Sequence, residues 1–217
     1  MDENEDDWNI DNLPNRLTLF RIILIPIILG MLYAAKFTNS AENELFYGVI
    51  AAWCFVAAAI TDFLDGYIAR KRNIITVFGS FLDPIADKFL VISSLIMLLS
   101  LARLPDWIVL VLVLREMYMT SLRLLASSHK LQVPVSGLGK WKTTAQMVGI
   151  PMLMVGGPWL GLPFVFIAKI FIYAASLLSL TSALIYSGNL LKRLKSKRKE
   201  ARLERKKKKA ARKSLRL

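Results

Sequence analysis

The chain has 217 residues, 55% of them hydrophobic, and a mean hydropathy of +0.46. That balance excludes an ordinary soluble domain and points to an integral membrane protein. The net charge of +13 is not evidence for nucleic acid, because residues 192–217 hold 15 Lys and Arg against two acids and the remainder is neutral.

The start of the chain, MDENEDDW, is acidic. A secretory leader begins with a basic region, so the apolar run at 17–35 is expected to be a retained span. Segment 1–16 either forms a short interfacial helix anchored by Trp8, Ile10 and Leu13 or stays irregular. A spanning helix needs about 20 mainly apolar residues. Candidates follow at 17–35, 45–67, 81–101, 107–126, 143–159 and 163–187, the fifth short and interrupted by Pro151. The expected fold is all-α: an integral membrane bundle of six transmembrane helices over 17–190, then a basic tail at 191–217. No internal repeat or strand pattern stands out.

Basic and charge-poor connections alternate along the chain. Arg16 and Arg21, then Arg70, Lys71 and Arg72, then His129, Lys130, Lys140 and Lys142 mark one side. The segments with Lys36, with Arg103 and with the uncharged GGPWLGLP mark the other. The positive-inside rule then puts both termini in the cytoplasm.

The second and third candidate spans carry aspartates at their facing ends. Asp62, Asp65, Gly66 and Ala69 share one helical face. Gly79, Asp83 and Asp87 repeat at four-residue intervals, with Pro84 expected to kink that helix or mark its first turn. Clustered carboxylates repel one another, and a hard divalent cation relieves the repulsion. Oxygen ligands suit magnesium or manganese, commonly shared with substrate phosphates. Arg70 beside the cluster suits a phosphate-bearing ligand. Two other readings stand beside this one. The acids pair with Arg70, Lys71, Arg72 and Lys88 to close the bundle, or they line a path for transported cations. A transport path predicts acids spread through the membrane depth, whereas these gather near one face. One histidine and one cysteine, His129 and Cys54, leave little material for a covalent nucleophile, a multi-histidine metal site or an intrachain disulfide.

The pattern Asp62-x-x-Asp65-Gly66-x-x-Ala69-Arg70, followed by Gly79-x-x-x-Asp83-x-x-x-Asp87, resembles in full the signature of the CDP-alcohol phosphotransferases. The stretches NLPNRLTLFRIILIP at 12–26, LDPIADK at 82–88, Arg115-Glu116 and GKWKTTAQM at 139–147 are similar to the bacterial branch that uses glycerol 3-phosphate as acceptor. Branches acting on phosphatidylglycerol or inositol phosphate are the alternatives.

The resemblance implies a six-helix membrane enzyme, usually a homodimer, that moves a phosphatidyl group from CDP-diacylglycerol to an alcohol and releases CMP. It implies Mg2+ or Mn2+, two ions, at Asp62, Asp65, Asp83 and Asp87, with Asp87 also the general base. Gly66, Ala69, Arg70 and Gly79, together with Asp62, would meet the CDP donor. Asn15 and Thr18 would touch the nucleotide or only cap the first helix. For an acceptor bearing phosphate, Arg115, Arg123, Lys140 and Lys142 are the candidate cations; each also has a bland reading as a helix-pairing, snorkelling or positive-inside charge. The basic tail is expected on anionic lipid of the inner leaflet, or as a solvated extension that brushes RNA without specificity. The expected location is the bacterial inner membrane, with the site open to the cytoplasm.

Overall fold

The computed structural model describes residues 13–72, 77–129, 131, 133, 137–159 and 161–214. Within them the chain folds as six α-helices: α1 Leu13–Phe37, α2 Ala41–Arg72, α3 Val77–Ser100, α4 Asp106–Ser128, α5 Gly137–Val155 and α6 Phe164–Ser214. Among the described residues the one β-type pairing is an isolated bridge between Trp159 and Leu162. The all-α membrane bundle expected from sequence is therefore what the chain forms. The expected acidic surface helix before Leu13 lies outside the described residues.

Local chemistry explains the helix ends. Pro14 sits in the first turn of α1, where its missing N–H has no partner to lose. Glu42 and Glu44 occupy the first turn of α2, where the helix dipole favours negative charge. At the start of α4, the Asp106 carboxylate accepts the Trp107 N–H at 2.8 Å. α5 stops at Val155, short of the expected 159, because Gly156 takes a φ of +80° that ends the helix.

Helices α1, α2 and α6 contain segments long and apolar enough to cross a membrane: Arg16–Phe37, Ala41–Leu64 and Phe164–Lys199. α3, α4 and α5 are the helices that bring Asp83, Asp87, Arg115, Glu116, Lys140 and Lys142 into the bundle. Charged residues interrupt the apolar runs of these three helices, and α4 still presents Trp107, Leu110 and Leu114 at the surface. α1 packs on α2 and α3, α2 on α5, and α6 on α4 and α5. The core joins Ile28, Leu32, Phe55, Leu98, Leu112 and Ile150. Close approach needs small residues: a side chain at Gly48 would run into the Met154 carbonyl oxygen, so glycine there lets α2 lie against α5. Outward-facing Ile23, Trp53, Leu124 and Leu184 leave the periphery apolar, as a lipid-facing surface is.

Of the two readings of Pro84, a place in the first turn is excluded, because it is the eighth residue of α3. The basic residues from 191 to 214 continue α6, which runs as one helix from Phe164 to Ser214. Lys, Arg, Glu, Ala and Leu are good helix formers, and no proline or glycine interrupts them after Gly188.

Candidate active site

The charged residues gather at the end of the bundle where α1 and α5 begin and α2 and α4 end. Asp62 and Asp83 come from α2 and α3, yet each is held from α1. Arg21, fully buried, pairs through Nη1 with Asp62 Oδ1 at 2.7 Å. Thr18, also fully buried, donates its hydroxyl hydrogen to Asp83 Oδ1. Thr18 therefore acts from inside α1 and does not cap it. Asp87 lies one turn after Asp83 and faces inward, within Coulombic reach of Asp62 and Arg21. Gly79 is buried at the start of α3. The backbone of Asp65, Gly66, Ala69 and Arg70 is helical, but their side-chain surroundings, like those of Asn15, lie outside the described residues.

Beside Asp87 opens a cavity of about 630 Å³ between α3, α4, α5 and α6. Arg115, Arg123, Lys140 and Lys142, the four cations singled out from sequence, all line it. Two carboxylates, Asp87 and Glu116, share the wall, so positive charge is in excess. Arg115 is buried and held by three partners: Nε donates to Ser179 O at 3.1 Å, Nη2 to Ser182 Oγ at 2.7 Å, and Nη1 meets Glu116 at 3.1 Å. Lys142 donates to the same Glu116 oxygen at 2.7 Å. Glu116 thus ties α4 to α5 and holds two cations against the cavity wall. Arg115 and Lys142 thus pair with Glu116 and also line the cavity. Arg21, read from sequence only as a flanking charge, and Glu116, read only as part of the Arg115-Glu116 pair, join this cluster through their ion pairs. The signal for Arg21 was present: an arginine one turn after Thr18, at the edge of a long apolar run.

The donor set of Asp62, Asp83 and Asp87 is oxygen only, which is the chemistry of a hard divalent cation. Asp62 lies within Coulombic reach of both Asp83 and Asp87, so a cation shared among them relieves their repulsion. Among the described residues no three acidic, histidine or cysteine groups already stand as a ligand set. Asp62 and Asp83 are instead turned toward Arg21 and Thr18. The residues fit such an ion by chemistry and proximity, with α1 occupying part of their coordination.

A membrane-end cluster of aspartates beside a cationic cavity is the arrangement of an enzyme acting on phosphate-linked lipid, and the comparisons agree. Residues 11–181 match the model of the CDP-alcohol phosphatidyltransferase family, and the chain belongs to that family. It is 39% identical over 176 residues to the CDP-diacylglycerol–glycerol-3-phosphate 3-phosphatidyltransferase of Rickettsia typhi, covering 81% of this chain and 94% of that one. It is 40% identical over 148 residues to the Bacillus subtilis protein of the same name, covering 66% and 77%. A probable phosphatidylglycerophosphate synthase of Mycobacterium tuberculosis is 38% identical over 172 residues, covering 78% and 76%.

Proposed function

We propose that this protein transfers the phosphatidyl group of CDP-diacylglycerol to glycerol 3-phosphate, giving phosphatidylglycerophosphate and CMP. The observation that carries the reading is the cavity with Asp87 at one side and Arg115, Arg123, Lys140 and Lys142 around it. A small alcohol that bears a phosphate fits that charge pattern: its phosphate meets the cations while its hydroxyl approaches Asp87. An alcohol's pKa lies far above neutral, so it needs a base within hydrogen-bond reach. Asp87 takes the hydroxyl proton. The hydroxyl oxygen bonds to the phosphorus that carries diacylglycerol, the anhydride bond to CMP breaks, and CMP leaves with the bonding pair. Gly66, Ala69 and Gly79 present backbone to the cytidine and ribose, and Arg70 meets a donor phosphate.

Magnesium or manganese, held by Asp62, Asp65, Asp83 and Asp87, would neutralise the donor pyrophosphate and the departing CMP. One substrate is a lipid and the other is soluble, so the site belongs at the membrane surface. The basic connections at this end favour the cytoplasmic face of the bacterial inner membrane. Catalysis is assigned to residues 17–190, in a homodimer, with the basic part of α6 resting against anionic lipid.

The test is radiolabel transfer in liposomes from CDP-diacylglycerol to glycerol 3-phosphate, phosphatidylglycerol, inositol phosphate or serine. Label entering lipid from glycerol 3-phosphate alone is the expected result. Transfer to another acceptor keeps the aspartate chemistry and discards the acceptor assignment. Membership of the family sets aside the transporter reading.

A further inference from the structure

The two halves of the aspartate pattern lie on different helices, and α2 and α3 make little direct contact with each other. What spans them is α1, which packs on both. Thr18 and Arg21 are three residues apart on α1 and share one face. One grips Asp83 of α3 and the other Asp62 of α2. Both clamp residues are fully buried. An arginine without exposure on a largely apolar helix is costly unless its charge is matched, and here the match is a carboxylate of the site. Arg21 also lies within Coulombic reach of Asp87, so one guanidinium offsets the repulsion between the two halves of the cluster.

We infer that Thr18 and Arg21 form a clamp on α1 that positions the aspartate cluster, with the Arg21 guanidinium serving as a built-in cation that keeps Asp62 and Asp87 compatible when no divalent ion is bound. This rests on the reading of the cluster as a divalent-metal site. The clamp residues touch carboxylates rather than substrate, so they are positioning residues. The inference reassigns Thr18 from the nucleotide to Asp83.

A built-in cation leaves a reciprocal signature. Removing the charge destabilises the metal-free protein, and anything that binds the folded state then stabilises it by more. An ordinary packing defect lowers the melting temperature equally with and without metal. The experiment is thermal unfolding of the purified full chain in detergent, with EDTA or with graded Mn2+, alongside Mn2+ binding read by electron paramagnetic resonance. For Arg21→Gln, the stabilisation by Mn2+ is expected to exceed that of wild type, with Mn2+ binding tightened about tenfold while transfer activity falls. Arg21→Lys keeps the charge and loses the fork, so its Mn2+ stabilisation should stay near wild type while its turnover drops. Thr18→Ser should retain activity that Thr18→Val loses. Equal destabilisation of Arg21→Gln in EDTA and in Mn2+, with unchanged Mn2+ affinity, would overturn the clamp while leaving the metal site standing. Absence of Mn2+ binding by the wild type would instead overturn the metal reading, and the clamp's tie to metal with it.

Discussion

Two buried arginines at opposite ends of the bundle make an instructive pair. Arg103, at the end away from the site, donates from Nη1 to Leu153 O at 3.1 Å and Met154 O at 2.5 Å, and from Nη2 to Glu44 at 2.7 Å. It caps the last carbonyls of α5 and ties that end to the start of α2, packed so closely that a side chain at Gly156 would run into its guanidinium. Arg115, at the other end, is as well bonded, but it shares the wall of a cavity with three further cations and Asp87. Burial and three polar contacts are common to both. What separates them is the cavity beside Arg115 and the excess of positive charge around it.

Substitutions can break or sharpen this contrast. The largest effect should come from Asp87→Asn, which removes the proposed base. Transfer should fall by about 100-fold or more, with CDP-diacylglycerol binding largely kept, and steady-state kinetics on liposomes measure it. Next, Lys140→Met and Arg123→Met should raise the KM for glycerol 3-phosphate by about tenfold each with a smaller change in kcat, the mark of a lost phosphate contact. Arg103→Gln should do the reverse. It should cost about 2 kcal/mol through unsatisfied carbonyls, seen as a lower melting temperature, with acceptor KM unchanged. An acceptor effect from Arg103→Gln would erase the distinction between the two ends. The smallest expected change is for truncation of residues 198–217, which should leave kcat nearly intact and weaken attachment of a detergent-released protein to anionic vesicles but not to neutral ones.

The fold was legible because each helix carries its own signal: an apolar run, a dipole-matched start or a glycine stop. The sequence GGPWLGLP already held the stop of α5 at Gly156. The helical nature of residues 191–214 was legible too, from helix formers without a breaker, but charge density drew attention to lipid binding and away from propensity. At that end of the bundle, the gathering of Asp62, Asp83, Asp87 and the four cavity cations was readable from local spacing and from charges in apolar surroundings. The pairings were not. Arg21 with Asp62 and Arg103 with Glu44 join residues about 40 and 60 positions apart, and no periodicity encodes which buried charge meets which. Glu116 looked like a neighbour of Arg115, and only the folded bundle shows that it also holds Lys142 of α5.

The length of α6 carries a mechanical consequence. Its 51 residues make a rod of about 75 Å, longer than a membrane is thick. The rod is rooted well past the core: Leu190 and Leu194 pack beside Leu122 and Leu131, and Lys197 Nζ donates to His129 O at 2.5 Å. From there to Ser214 the helix extends roughly another 25 Å. The same helix presents Ser179 and Ser182 to Arg115. Beyond the Lys197 anchor no packed contact is shown among the described residues, so motion of the far end is damped at residues 190–197 before it reaches Ser182 and the wall of the cavity.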